Sequence, residues 1–94
     1  MVRVAVMTFR LHAPWVHSLK EKRSVVKSLL AKLKNRFALS AAEVGDQDVH
    51  QSIVIAAAAI VPDRVKGDAL MEAVSRFVEE ATDAEVIDEE WELR

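Results

Sequence analysis

The chain lacks cysteine and tyrosine, and it has only two glycines, two prolines and 5% aromatic residues. Without cysteine there are no disulfide bonds, thiolate nucleophiles or thiolate metal ligands. Gly45 and Gly67 are too few for a P-loop or a dinucleotide-binding turn. No pairing of a nucleophile with a base is recognisable either. We therefore expect a non-enzymatic protein with no cofactor and no bound metal.

Long hydrophobic runs are also absent. No apolar run reaches the roughly 18 residues that a membrane span needs, and the N-terminal region alternates in polarity instead of forming the apolar block of a signal peptide. We expect a cytoplasmic protein with no membrane partner. The 94 residues fit one small domain, residues 1–94. The core of such a domain is modest, so a partner surface can add to its stability.

Charge is distributed unevenly along the chain. The net charge is −2, but residues 1–37 hold nine basic side chains and one acid, whereas residues 38–94 hold four basic and fourteen acidic side chains. An imbalance of this kind indicates an anionic partner, a self-complementary oligomer or internal neutralisation. The sequence leaves all three open.

Hydrophobic periodicity predicts six secondary-structure elements. Alternating apolar residues indicate strands, and apolar residues three and four apart indicate helices. The alanine run after Ile55 is also compatible with a helix, but its β-branched neighbours and Pro62 favour a strand. The predicted order is strand 2–12, helix 18–37, strand 38–44, strand 51–61, helix 63–81 and strand 85–93.

This order is typical of the α+β ferredoxin-like, split β-α-β fold, in which two helices cover one face of a four-stranded antiparallel sheet. The other face is then open and exposes apolar residues of the central strands. A patch of that kind usually marks an interface, although scattered apolar residues are normal on any surface. We predict a homo-oligomer, most simply a dimer, with an interface that includes Ala56, Ala57, Ala58 and Ala59.

The first helix begins in the stretch HSLKEKR, residues 17–23. Ser18 and Glu21 have the spacing of a capping box, in which the Glu21 carboxylate is expected to accept the Ser18 N–H. Lys22 falls near the apolar arc of the helix, so we expect its ammonium group to reach solvent along its stem. At about 100° per residue, four basic residues share one flank of the helix. These are Lys20, Arg23, Lys27 and Lys34, and we call them the basic stripe.

The segments HSLKEKRSVVKSLLAKLKNRF and SAAEVGDQD, with Gln51 after them, resemble the YlxP-like family of small bacterial proteins of unknown function. The resemblance covers residues 2–94 and implies a ferredoxin-like fold and a bacterial cytoplasmic protein. Genes of this family often lie beside those of translation-initiation and ribosome-maturation factors. The resemblance therefore implies work near RNA or the ribosome, and it transfers no catalytic residue.

The basic stripe is the first candidate site. Its cations can neutralise a nucleic-acid backbone and release counterions, with Lys22, Lys32 and Arg36 as possible further contacts. The alternatives are a solvated helix face, or pairing with the acidic C-terminal strand of the same or a neighbouring protomer. The functional alternatives to RNA binding are a protein–protein adaptor and a small-molecule domain with a site between protomers. RNA reading on the sheet is not expected, because the central strands lack aromatic platforms.

Three further features lie in predicted loops or near strand ends: a polar turn, the histidines and a tryptophan. Asp46, Asp48 and His50 can form a metal or acid–base site, but we predict a polar hairpin in which the aspartates accept turn N–H groups. His12 and His17 can join His50 around zinc, although separate surface histidines are the simpler interpretation. The remaining feature is a tryptophan in the loop that precedes the first helix, Trp15, which either anchors a partner or closes one end of the core.

Overall fold

A computed structural model describes residues 2–94 of the chain. Its elements follow the predicted order, and every boundary lies within two residues of the predicted one. They are β1 (Arg3–His12), α1 (Leu19–Arg36), β2 (Ser40–Gly45), β3 (Ser52–Val61), α2 (Arg64–Ala81) and β4 (Glu85–Leu93).

The four strands form one antiparallel sheet in the order β2-β3-β1-β4. The predicted ferredoxin-like arrangement is therefore confirmed, with β1 and β3 at the centre and both helices on one face. Small irregularities interrupt the pairing between Arg10 and Leu11 and between Glu43 and Gly45. The strand order places β2 and the acidic strand β4 at opposite edges of the sheet.

The hydrophobic core lies between the sheet and the two helices. Every second residue of β1 and β3 points into it, because side chains alternate across a strand. The helices contribute stripes at helical spacing. The buried residues include Ala5, Met7, Phe9 and Leu11 of β1, Ile53, Ile55 and Val61 of β3, Val26, Leu29 and Leu33 of α1, and Met71, Val74 and Val78 of α2.

The second face of the sheet is not covered by any element of residues 2–94. Ala56 and Ala58 lie on this open face and are partly exposed. Ala57 and Ala59 are buried on the helix side, at 4% and 8% exposure. The prediction that all four alanines contribute to an interface is therefore wrong for Ala57 and Ala59, because the strand pleat turns them toward the helices.

Both helices begin at side-chain caps. The Ser18 hydroxyl accepts the Glu21 N–H at 3.1 Å, and the Asp63 carboxylate accepts the Lys66 N–H at 2.9 Å. The predicted hydrogen bond from the Ser18 N–H to the Glu21 carboxylate is not formed. Glu21 accepts the N–H of His17 instead, at 2.9 Å. The carboxylate reaches one residue beyond the cap and so satisfies the N–H of His17.

Neither helix in residues 2–94 is both long enough and apolar enough to cross a membrane.

Candidate functional site

The basic stripe lies on the exposed surface of α1. Lys20, Arg23, Lys27 and Lys34 are all exposed, whereas Val26, Leu29 and Leu33 of the same helix are buried. At about 100° per residue, the stripe occupies an arc centred roughly 110° from the buried residues. Its 14-residue span corresponds to about 21 Å along the helix axis. The stripe is therefore a row of four cations that an extended anion can contact.

None of these four cations belongs to an ion pair within residues 2–94. The pairs in this part of the chain are Arg10–Asp46, Lys22–Glu43, Arg76–Glu72 and Arg94–Glu92. Like charges at i,i+3 and i,i+4 repel one another by tenths of a kcal/mol per pair. The stripe is thus mildly unfavourable for the isolated helix, and an anionic partner would relieve the repulsion.

Strand β4 does not neutralise the stripe. β4 and β2 lie at opposite edges of the sheet, and three strand spacings separate them by about 14 Å. Asp88 and Glu90 stand opposite Arg10 and Thr8 of β1, so they point to the open face, away from the helices. Glu89 faces the helix side, but its Oε1 accepts from Ser75 of α2 and from Trp91. Neutralisation of the stripe by the acidic strand of the same chain, which the sequence had left open, is therefore excluded.

Lys22 does not belong with the stripe. Its side chain is 1% exposed, and its ammonium group donates to the Asp46 carbonyl oxygen and lies 3.1 Å from Glu43 Oε2. The expectation that Lys22 extends into solvent, or contacts phosphate, is therefore wrong. Glu43 stands opposite Ile55 in the register of β2 and β3. Its side chain therefore faces the helix layer and contacts Lys22 from the sheet. A buried ammonium group needs such partners.

Glu43 Oε2 is itself buried and has no hydrogen bond among residues 2–94. It forms an ion pair with Lys22 Nζ at 3.1 Å, but the two groups are not oriented for a hydrogen bond. The Lys22 ammonium group donates its hydrogen bond to the Asp46 carbonyl. The lysine connects the first turn of α1 to the turn between β2 and β3.

Asp46 shapes that turn. It has a positive φ of 51°, a conformation that Asp and Asn adopt more readily than most residues. Its Oδ2 accepts the Ser52 hydroxyl at 2.6 Å and Arg10 Nη1 at 2.7 Å. These two donors, the Ser52 hydrogen bond foremost, hold the pKa of the Asp46 carboxyl below its ordinary value.

The predicted polar hairpin is therefore present, but the expected partners of Asp46 were wrong. Its carboxylate accepts from the Ser52 and Arg10 side chains in place of turn N–H groups. The turn N–H of Val49 bonds instead to the Asp46 carbonyl, at 3.0 Å. Among residues 2–94, no three His, Asp or Glu side chains lie close enough together to hold a metal ion.

The other basic residues of α1 lie on the flank that faces α2. Lys32 Nζ donates to the carbonyl of Ala81 at 3.0 Å, at the end of α2. Arg36 lies beside Phe77, in a shallow groove between the helices. Both are therefore directed away from the stripe. Sequence spacing groups all these cations on one helix, but the position of α2 separates them into two surfaces.

Trp15 is 40% exposed and lines a groove with Val25, Ser28 and Lys32 of α1 and with the end of α2. It neither closes the core completely nor lies near the stripe. The exposed aromatic side chain at the other edge of the molecule is Trp91 of β4, whose indole N–H donates to Glu89 Oε1 at 2.8 Å. Neither tryptophan is positioned to stack a base against the stripe.

Comparison with known proteins gives a family. Residues 4–91 match the family described as "Protein of unknown function (DUF503)". The chain is also similar to "Uncharacterized protein YlxP" of Bacillus subtilis (strain 168), with 37% identity over 62 residues, which are 66% of this chain and 67% of that protein. These names state no activity, and they agree with the resemblance seen in the sequence. The chain therefore belongs to the YlxP-like family described as a protein of unknown function (DUF503).

Proposed function

We propose that this protein is a cytoplasmic, non-enzymatic binding protein that holds the phosphate backbone of RNA on the basic stripe. The observation that carries the proposal is the set of four exposed cations on α1 that have no ion-pair partner within residues 2–94. Neutralising phosphates with such cations releases condensed counterions, which is the main source of sequence-independent affinity for nucleic acids.

The arrangement favours contact with the backbone over reading of bases. Sequence-specific recognition of single-stranded RNA uses aromatic side chains on which bases stack. Trp15 lies on the flank of α1 that faces α2, and Trp91 is on β4 at the far edge of the sheet. The open face carries aliphatic residues, the paired charges of Arg10 and Glu92, and the carboxylates of Asp88 and Glu90, which repel phosphate. The stripe is thus the surface best suited to RNA, and it supplies charge without base selectivity.

A ribosomal particle is the proposed source of the RNA. Ribosomal RNA presents a dense, folded phosphate surface, and a helix that carries a row of cations can lie along it. The genes that often accompany this family, those of translation-initiation and ribosome-maturation factors, support the same setting. A cytoplasmic location follows from this proposal.

The experiment is a salt titration of binding to purified ribosomal subunits and to ribosomal RNA fragments. If all four cations contact phosphate, the logarithm of the affinity should fall against the logarithm of salt concentration with a slope of about −3. Lys27→Ala or Arg23→Ala should each make the slope shallower by about 0.7 to 0.9. Fluorescence anisotropy with a labelled RNA measures both quantities.

Lys66→Ala is the matched control, because Lys66 is an exposed lysine of α2 outside the stripe, and it should leave the slope unchanged. Failure to retain either subunits or RNA at low salt would contradict the proposal, as would equal effects of Lys27→Ala and Lys66→Ala. A protein partner that remains bound after nuclease treatment would support the adaptor alternative.

A further inference from the structure

We infer that the open face of the sheet is a homodimer interface, in which two copies pack sheet against sheet about a two-fold axis parallel to the strands. This inference concerns the surface opposite the helices and does not depend on RNA binding. It rests on an apolar patch, on the area available and on the distribution of acidic residues.

The patch is continuous across three strands. In the register of β1 and β3, Val4 stands opposite Ile60 and Val6 opposite Ala58, and Val44 of β2 lies beside the same surface. Ile60 is 76% exposed and Val44 is 54% exposed. We call the following six residues the open-face patch: Val4, Val6, Val44, Ala56, Ala58 and Ile60.

The area of the face is sufficient for a small stable dimer. Four strands spaced about 4.8 Å apart and about 30 Å long give a flat area of roughly 600 Å² per copy. Two copies together reach roughly 1,200 Å², which is the lower end of specific protein–protein interfaces. The accessible surface of a pleated sheet exceeds its flat area, so this comparison understates the contact. The small side chains of Ala56 and Ala58 allow a second sheet to approach to the usual distance of about 10 Å.

The charges around the patch argue against other occupants. Arg10 and Glu92 also lie on this face, but they are paired with Asp46 and Arg94. Asp88 and Glu90 border the patch along β4 without an ion pair within residues 2–94 and would repel RNA or an anionic lipid surface. An apolar, nearly flat partner is required, and a second copy supplies one of matching shape. An isologous contact also closes on itself, so the apolar surface of both copies is covered without leading to a filament.

The same charges select the direction of the two-fold axis. An axis in the interface and perpendicular to the strands would stack β4 on the β4 of the second copy, with Asp88 and Glu90 of both copies facing each other. An axis parallel to the strands places β4 of each copy over β2 of the other, where the open-face residues Ser40 and Ala42 are uncharged. Like charges that face each other are destabilising, so the parallel axis is favoured.

The first test is the oligomeric state of the full chain at micromolar concentration, measured by sedimentation equilibrium. We expect a particle of twice the chain mass. Ile60→Lys should raise the dissociation constant by about 30-fold or more, as expected when a charge replaces a large apolar contact of an interface. Val65→Lys is the matched control, because Val65 is 79% exposed but lies on α2, away from the open face, and it should leave the dimer intact.

Circular dichroism checks that each variant is folded. If Ile60→Lys does not fold, Ala42→Glu tests the same face from an already exposed position of β2 and should also weaken the dimer. A monomeric wild-type chain would overturn the inference. So would a dimer that Val65→Lys and Ile60→Lys weaken equally.

The second test concerns the axis and uses the absence of cysteine from the chain. Ala42 and Glu90 lie in one row across the sheet, through Ala56 and Thr8. A parallel axis therefore places Ala42 of one copy beneath Glu90 of the other. A mixture of Ala42→Cys and Glu90→Cys proteins should cross-link with a short bis-maleimide, and Glu90→Cys protein alone should not. Cross-linking of Glu90→Cys protein to itself, or none in the mixture, would overturn the assigned axis.

Discussion

Lys22 shows how one residue of a basic helix can have a structural role while its neighbours stay available for binding. It is fully enclosed beside Glu43 and the turn carbonyl of Asp46, whereas Lys20 and Arg23 are exposed on the same first turns of α1. Removing one partner of a buried ion pair usually costs more than the pair contributes, because the other charge is left without compensation.

We predict that Lys22→Met lowers the free energy of unfolding by about 3 kcal/mol, the low end for a broken buried ion pair, because the Glu43 side chain is 19% exposed. The methionine side chain retains the apolar stem but removes the ammonium group, so the Glu43 carboxylate and the Asp46 carbonyl lose their partner. Urea denaturation measures the change. Lys20→Met, at an exposed position, should alter stability by no more than about 0.5 kcal/mol. Equal effects of the two substitutions would show that the buried contacts of Lys22 contribute nothing.

Asp46 carries a second prediction, about acid stability. Because its pKa is lowered in the folded protein by Ser52 and Arg10, the folded state binds this proton less readily than the unfolded chain. The stabilisation is therefore complete above the unfolded pKa of an aspartate, about 3.9, and is lost as the pH falls through the lower folded value.

Asp46→Asn removes the charge but tolerates the positive φ. The melting temperature of this variant should lie below that of the wild type at pH 7, and the two should converge as the pH falls below about 3. Asp48→Asn, in the same turn and with no ion pair within residues 2–94, is the control. If the melting temperatures of Asp46→Asn and the wild type differ by a constant amount down to pH 2, the lowered pKa of Asp46 does not contribute to acid stability.

At the scale of elements, local signals in the sequence were sufficient to place each helix and strand. The serine and aspartate caps determine where α1 and α2 begin, and the alternation of β1 and β3 marks the two central strands. The hydrogen bond from the His17 N–H to the Glu21 carboxylate was not predictable from these local signals, because it depends on the path of the chain before the cap. Packing between elements was harder still to predict, and Gly67 is an example.

Gly67 lies in the first turns of α2 and is buried, although glycine weakens helices. A Cβ atom at this position would lie 3.0 Å from Leu93 Cδ1 and 3.2 Å from Val61 Cγ2. The glycine therefore allows α2 to pack closely on β3 and β4. Local propensity alone predicts only a weaker helix at a glycine.

We predict that Gly67→Ala lowers the free energy of unfolding by about 1 kcal/mol. Crowding against Val61 and Leu93 costs about 1–3 kcal/mol, and the better helix propensity of alanine offsets about 1 kcal/mol of that. Thermal and urea unfolding measure the change. An alanine substitution at the neighbouring exposed site of α2, Lys66→Ala, should change the free energy of unfolding by less than about 0.5 kcal/mol. A Gly67→Ala variant more stable than the wild type would mean that Leu93 repacks freely.

At the scale of the whole molecule, the two charged regions are separated by the fold. The basic stripe lies on the helix layer, and the carboxylates of Asp88 and Glu90 lie on the opposite face near the far edge of the sheet. The exposed apolar surface lies between β2 and β4 on the face without helices. One small chain thus presents a cationic surface for the proposed RNA contact and an apolar surface for the inferred dimer, and neither surface has to be disrupted for the other to be used.

The sequence by itself determined the fold class, the element boundaries and the presence of a basic flank on α1, because these depend on local periodicity and capping. The tertiary structure decided which of the basic residues form one surface. It buried Lys22 against Glu43, turned Lys32 toward Ala81, and left the stripe exposed. It also assigned alternate alanines of β3 to opposite faces. These outcomes depend on strand order and register, which bring together residues that are distant in the chain.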